Sequence, residues 1–166
     1  MIKTSWIFIL GRLIPEAFIL ILSTYTILRK KVDKPRLVFS TILLSISVYF
    51  SETIPISYGV HIIINIINLM VINALINKID ISATIKASMI TAIMFFILES
   101  LNILGIMILV PSKISYILNN DLMKVIFFSP SLLLLYSIVI GRYSYLKCRI
   151  MLNDNYNSRG ERSRYD

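Results

Sequence analysis

The chain has 166 residues, 57% of them hydrophobic and 16% charged, with a mean hydropathy of +0.78 and a formal charge of +8. Soluble domains run nearer 45–50% apolar and about 25% charged, so too little polar surface remains for a water-exposed globule, and an integral membrane protein is expected. The positive charge sits in short blocks between apolar runs, which argues against nucleic-acid binding, and Cys148 is the only cysteine, which excludes a disulfide scaffold or a cysteine-built zinc site.

In chain order, five apolar stretches separate. The first, 5–28, ends at a basic run that includes Arg29, Lys30, Lys31, Lys34 and Arg36. A cleaved signal peptide is the competing reading. Arg12, Pro15 and Glu16 interrupt the apolar run and no small-x-small cleavage site follows, so the stretch reads as a helix. The second, 37–53, stops before Pro55. The third, 56–77, ends at Asn77-Lys78-Ile79-Asp80. The fourth, 83–110, stops at Pro111, and 112–120 reads as a polar or interfacial turn. The fifth, 122–145, precedes a basic segment, 146–166, with too few apolar residues to fold alone and therefore expected to be a disordered cytoplasmic tail along the anionic inner leaflet. The spacing predicts an all-α bundle of five membrane-spanning helices, multi-pass in the cell membrane.

Basic residues set the orientation. With the amino terminus outside, the cytoplasmic segments 29–36, 78–86 and 142–166 hold thirteen of the 17 Lys and Arg residues. Lys3, Lys113 and Lys124 fall outside, and Arg12 lies within the first span. Positive segments resist translocation, so N-out and C-in is predicted.

Ionisable groups inside membrane helices cost about 2.5–3.5 kcal/mol each on insertion scales and so ask for a reason. Arg12 and Glu16 are four residues apart on one helix face, with Pro15 between them removing a backbone donor and Gly11 adding freedom. They form either a neutralised pair that lets the helix insert or a kinked polar wall of a ligand site. His61, Asn65 and Asn68 share a face of the third helix with Ile72 and should point into the bundle. On the fourth helix Glu99 and Asn102 share a face, and Ser88, Thr91 and Gly105 are small enough for close packing. Glu99 has no basic neighbour on its own helix and needs a cross-helix partner or a proton. Helix rise places Arg12, Glu16, Glu52, His61 and Glu99 in the outer half of the bundle. A polar ligand or signal pocket of Arg12, Glu16, Glu52, His61, Asn65, Asn68, Glu99 and Asn102 is the expectation, with Arg12–Glu99 as the cross-helix pair.

No catalytic constellation is found. Cys148 and His61 belong at opposite membrane faces, about 30 Å apart, so no Cys–His dyad forms. H-E-x-x-H, Walker and G-x-S-x-G motifs are missing. Pro15 and Pro130 mark two helix breaks without the paired repeats usual in transporters. Neither an enzyme nor a bound metal or cofactor is expected.

The runs Ile14-Pro15-Glu16, Ile54-Pro55-Ile56-Ser57-Tyr58-Gly59-Val60-His61 and Leu98-Glu99 resemble the amino-terminal membrane sensor region of clostridial GHKL-type sensor histidine kinases, the group that includes the accessory-gene-regulator peptide receptors. The resemblance covers roughly 5–145. It implies an N-out bundle, often dimeric, that feeds a cytoplasmic output module. Residues 146–166 contain no histidine and no Asn/Gly-rich nucleotide motif, so autophosphorylation is not expected of this chain. A kinase-less sensor is then the first functional expectation, with a histidine kinase or a second copy as partner and a peptide or small molecule as ligand. A small-solute carrier subunit of an uptake system is the alternative.

Overall fold

A computed structural model describes residues 9–53, 58–110 and 120–162; the side chains of 52, 53, 58, 59, 121, 124 and 146–162 lie outside that description. Among the described residues the chain is all helical. A five-residue π-helical turn, Ile9–Leu13, leads into α1 (Ile14–Ile27). Then follow α2 (Lys34–Thr53), α3 (Tyr58–Leu75), α4 (Ile81–Leu109) and α5 (Asp121–Arg162). The wide turn sits just before Pro15, whose ring supplies no backbone donor.

Local chemistry explains the helix ends. Beyond α1, Arg29 adopts a left-handed conformation (φ 54°), which lets the Lys30 N–H reach back to the Tyr25 carbonyl at 3.1 Å. Asp33 precedes α2 and holds Arg36 at 3.1 Å, and Pro35 occupies the first turn, where a missing N–H costs nothing. The helix therefore starts at Lys34 rather than at 37. Lys78 is left-handed beyond α3 (φ 49°). Asp80 caps α4, accepting a hydrogen bond from the Ala83 N–H at 3.3 Å, so α4 begins ahead of 83. Asn120 accepts from the Leu122 N–H at 3.1 Å ahead of α5.

α1 is the hub. It packs against all four other helices, and α2, α3, α4 and α5 follow one another around it. Its buried residues include Ala17, Ile19 and Ile21, but also Ser23, Thr24 and Thr26. The bundle is inverted relative to a soluble protein. Ser40, Thr41, Ser45, Asn73, Thr84 and Thr91 are buried, while large apolar side chains such as Phe39, Ile63, Phe96, Leu101, Ile108 and Leu133 cover the outside. A hydrocarbon solvent stabilises that distribution and water does not. Inward hydroxyls find partners within their own helix: Thr41 donates to the Leu37 carbonyl and Ser45 to the Thr41 carbonyl, both at 2.8 Å.

Among the described residues three segments are long and apolar enough to cross a bilayer: Ile9–Ile27, Ile81–Leu109 and Val125–Tyr145. α2 falls short by composition and the apolar part of α3, Val60–Leu75, by length, so the fold is a multi-pass membrane bundle with three such helices rather than a demonstrated set of five. Lys34 and Arg36 lower the average of α2, as do Ser40, Thr41, Ser45 and Ser51, which it turns inward.

α5 continues as helix past Tyr145, the expected end of the fifth span, to Arg162. No proline follows Pro130, and extending an existing helix lacks the cost of nucleating one. Gly105 is not a packing contact, since a Cβ there would meet nothing within 4 Å. The expected turn at 112–120 and the Ile54–Ser57 part of the resemblance lie outside the described residues.

Candidate functional site

The charged residues of α1 and α4 meet. Arg12, in the wide turn, donates through its Nη2 to Glu99 Oε1 on α4. Its Nε lies 3.5 Å from Glu16 Oε2, one turn along α1. Its guanidinium sits 4.6 Å from the ring centroid of Phe128 on α5. One side chain thus bridges three helices. The three charged side chains are 14–17% exposed, too dry to be treated as surface pairs. Ion pairing and the π face of Phe128 together offset the cost of holding a guanidinium away from water.

Close approach of α1 and α5 makes this geometry possible. A Cβ on Gly11 would lie 3.1 Å from Val125 Cγ1, tighter than ordinary packing. Further along, the Tyr136 hydroxyl donates to the Pro15 carbonyl at 2.9 Å, and its ring stacks on Phe18 at 6.4 Å between centroids. Asn102 donates from Nδ2 to the Phe127 carbonyl at 2.9 Å and so ties α4 to α5 beside the same cluster.

The other expected residues stand apart in their bonding. Asn65 Oδ1 accepts from Ser51 Oγ at 2.9 Å and joins α3 to α2. His61 is half-buried, and its Nδ1 has no hydrogen-bond partner among the described residues. Asn68 is half-buried as well. Glu52 lies in the last turn of α2, with its side chain outside the described residues. Among the described residues no group of three His, Cys, Asp or Glu is placed to hold a metal ion.

A second polar assembly, unforeseen from sequence, occupies the other end of the bundle. Asn73 Oδ1 accepts from Asn77 Nδ2 at 2.8 Å and lies 3.3 Å from Thr24 Oγ1. Asn73 Nδ2 donates to the Leu69 carbonyl at 2.9 Å, and Ser40 Oγ donates to Asn77 Oδ1 at 2.9 Å. Thr91 Oγ1 donates to Ser23 Oγ at 3.1 Å, joining α4 to α1. At about 100° per residue, Asn73 points roughly a third of a turn away from the His61–Asn65–Asn68 stripe, and Asn77 lies just beyond the end of the helix at Leu75. The four-residue spacing of the two asparagines is the available signal, and it competes with the polar stripe on the other face.

No protein-family model, curated protein or solved structure matches the chain.

Proposed function

We propose that the chain is a five-span, N-out and C-in membrane sensor domain without a kinase of its own, in which the Arg12–Glu16–Glu99 cluster is the signal-responsive element. The carrying observation is that a single guanidinium in a wide helical turn connects three helices inside a membrane bundle. Intramembrane charges are expensive, and such groups mark ligand, proton or conformational sites. Spanning by α2 is supported by its outward face of Val38, Phe39, Ile42, Leu43, Ile46 and Phe50. The orientation is supported by the parallel run of α1 and α5, since Gly11 faces Val125 and Phe18 faces Tyr136. An odd number of spans requires that. The basic residues at the α1–α2 connection and at Lys78 then share the cytoplasmic side with the far end of α5.

The test uses the full chain in native membranes, with a photo-crosslinking residue at position 155 on α5. Capture of a sensor histidine kinase, identified by mass spectrometry and weakened by Arg12→Gln, is expected. A vitamin-sized solute retained through purification, with an energising ATPase captured instead, overturns the sensor reading in favour of a carrier subunit. Orientation is checked by cysteine accessibility: labels at 33, 80 and 155 should react only from the cytoplasm.

A further inference from the structure

We propose that α5 is a hinged output helix whose bend at Pro130 is set by two positioning residues, Asn102 of α4 and Tyr136 of α5. The proposal deepens the sensor reading but depends only on the bundle geometry, not on any partner.

Pro130 lies inside α5 and supplies no backbone N–H, so the carbonyl one turn before it loses its donor and the helix is weakened there. That carbonyl belongs to Ile126, and side chains bond to the carbonyls that flank it. Ser129 Oγ donates to Val125, and Ser131 Oγ donates to Phe128 at 2.8 Å. The third donor comes from another helix: Asn102 holds the Phe127 carbonyl. On the far side of the break, Tyr136 holds the Pro15 carbonyl of α1. By cross-helix hydrogen bonds, the segment before Pro130 is thus fastened to α4 and the segment after it to α1, while Val125 and Phe128 before the proline also pack on Gly11 and Arg12 of the turn that leads into α1. These are the two helices that Arg12 and Glu99 join. Any shift of α1 against α4 changes the angle between the two halves of α5. The half after Pro130 runs on to Arg162, past the end of the apolar span at Tyr145. From Pro130 to Cys148 is about 27 Å at the helical rise, so a 10° change of bend displaces that point by about 5 Å.

The natural Cys148 is a labelling position on this lever. Nitroxides at Cys148 and at Lys31→Cys in the α1–α2 connection, in the full chain reconstituted in nanodiscs, report the lever position by pulsed electron spin resonance. Tyr136→Phe and Asn102→Ala should each shift the mean distance by about 5 Å or broaden the distribution by as much. Adding Pro130→Ala, which restores the missing donor, should abolish the shift. Ser137→Ala should leave the distribution unchanged, because that exposed hydroxyl bonds only to the Leu133 carbonyl of its own helix. Unaltered distances in both Tyr136→Phe and Asn102→Ala, or a shift that survives Pro130→Ala, overturn the hinge. Should Asn102→Ala not fold, Tyr136→Phe with and without Pro130→Ala decides alone, since it keeps the ring that stacks on Phe18. Failure to capture a kinase with an intact hinge response removes the sensor reading and leaves the hinge standing.

Discussion

The two polar assemblies of this bundle solve one problem by opposite means. At one end, charged groups from the turn before α1, from α1 and from α4 neutralise one another around Arg12, with α5 supplying an aromatic face. At the opposite end, neutral amides and hydroxyls form the chain Ser40–Asn77–Asn73–Thr24, beside the Ser23–Thr91 pair of α1 and α4. A neutral hydrogen bond between membrane helices contributes about 0.6 kcal/mol on average, because the separated helices also find partners. A charge stripped of its counter-charge has no comparable alternative in hydrocarbon. A change of pairing therefore has a small energetic consequence in the neutral assembly and a large one in the charged assembly.

That contrast can be broken by substitution. Arg12→Gln strands Glu99 and should have the largest effect, a loss of about 3–5 kcal/mol of stability measured by unfolding in detergent. The double change Arg12→Gln with Glu99→Gln should recover part of that loss, because Glu16 is then the one member of the cluster left without its counter-charge. If the double variant is no better than the single one, the Arg12 cluster is not held by charge. Asn73→Leu removes the amide that meets Thr24, Asn77 and Leu69, and should cost about 1–2 kcal/mol. A loss as large as that of Arg12→Gln would erase the distinction between the two ends. The smallest effect separates two glycines. Gly105→Ala should gain up to about 1 kcal/mol, since alanine favours the helix and its methyl meets open space. Gly11→Ala should gain less or lose, since its methyl presses on Val125. Thermal midpoints of the purified variants rank the two.

How far sequence reasoning reached depends on the kind of interaction. The Arg12–Glu99 pair was legible because a lone acid on α4 and a lone base on α1 fall at similar depth, and an unpaired charge in hydrocarbon is costly enough to force an answer. Asn73 and Asn77 were missed because amides occur on membrane helices without such compulsion, and nothing in the spacing says which of two polar faces turns inward. Phe128 and Tyr136 were missed because an aromatic in an apolar helix looks the same whether it faces lipid or a guanidinium. Helix rise sets the depth of His61 and does not set rotation about the helix axis.

By itself, the sequence determined the medium and the segments: composition demands hydrocarbon, and Asp33, Asp80, Pro35 and Pro111 punctuate the helices through local backbone chemistry. It also carried the bias of basic residues on which the proposed orientation rests. Only the tertiary structure decided that α1 is the hub, that the Ser and Thr face of α2 turns inward, and that Asn102 and Tyr136 bond α5 to its neighbours on either side of Pro130. Local propensities and transfer energies are written residue by residue along the chain. The rotation of one helix against another comes from summed packing and cross-helix bonds, which no single segment contains.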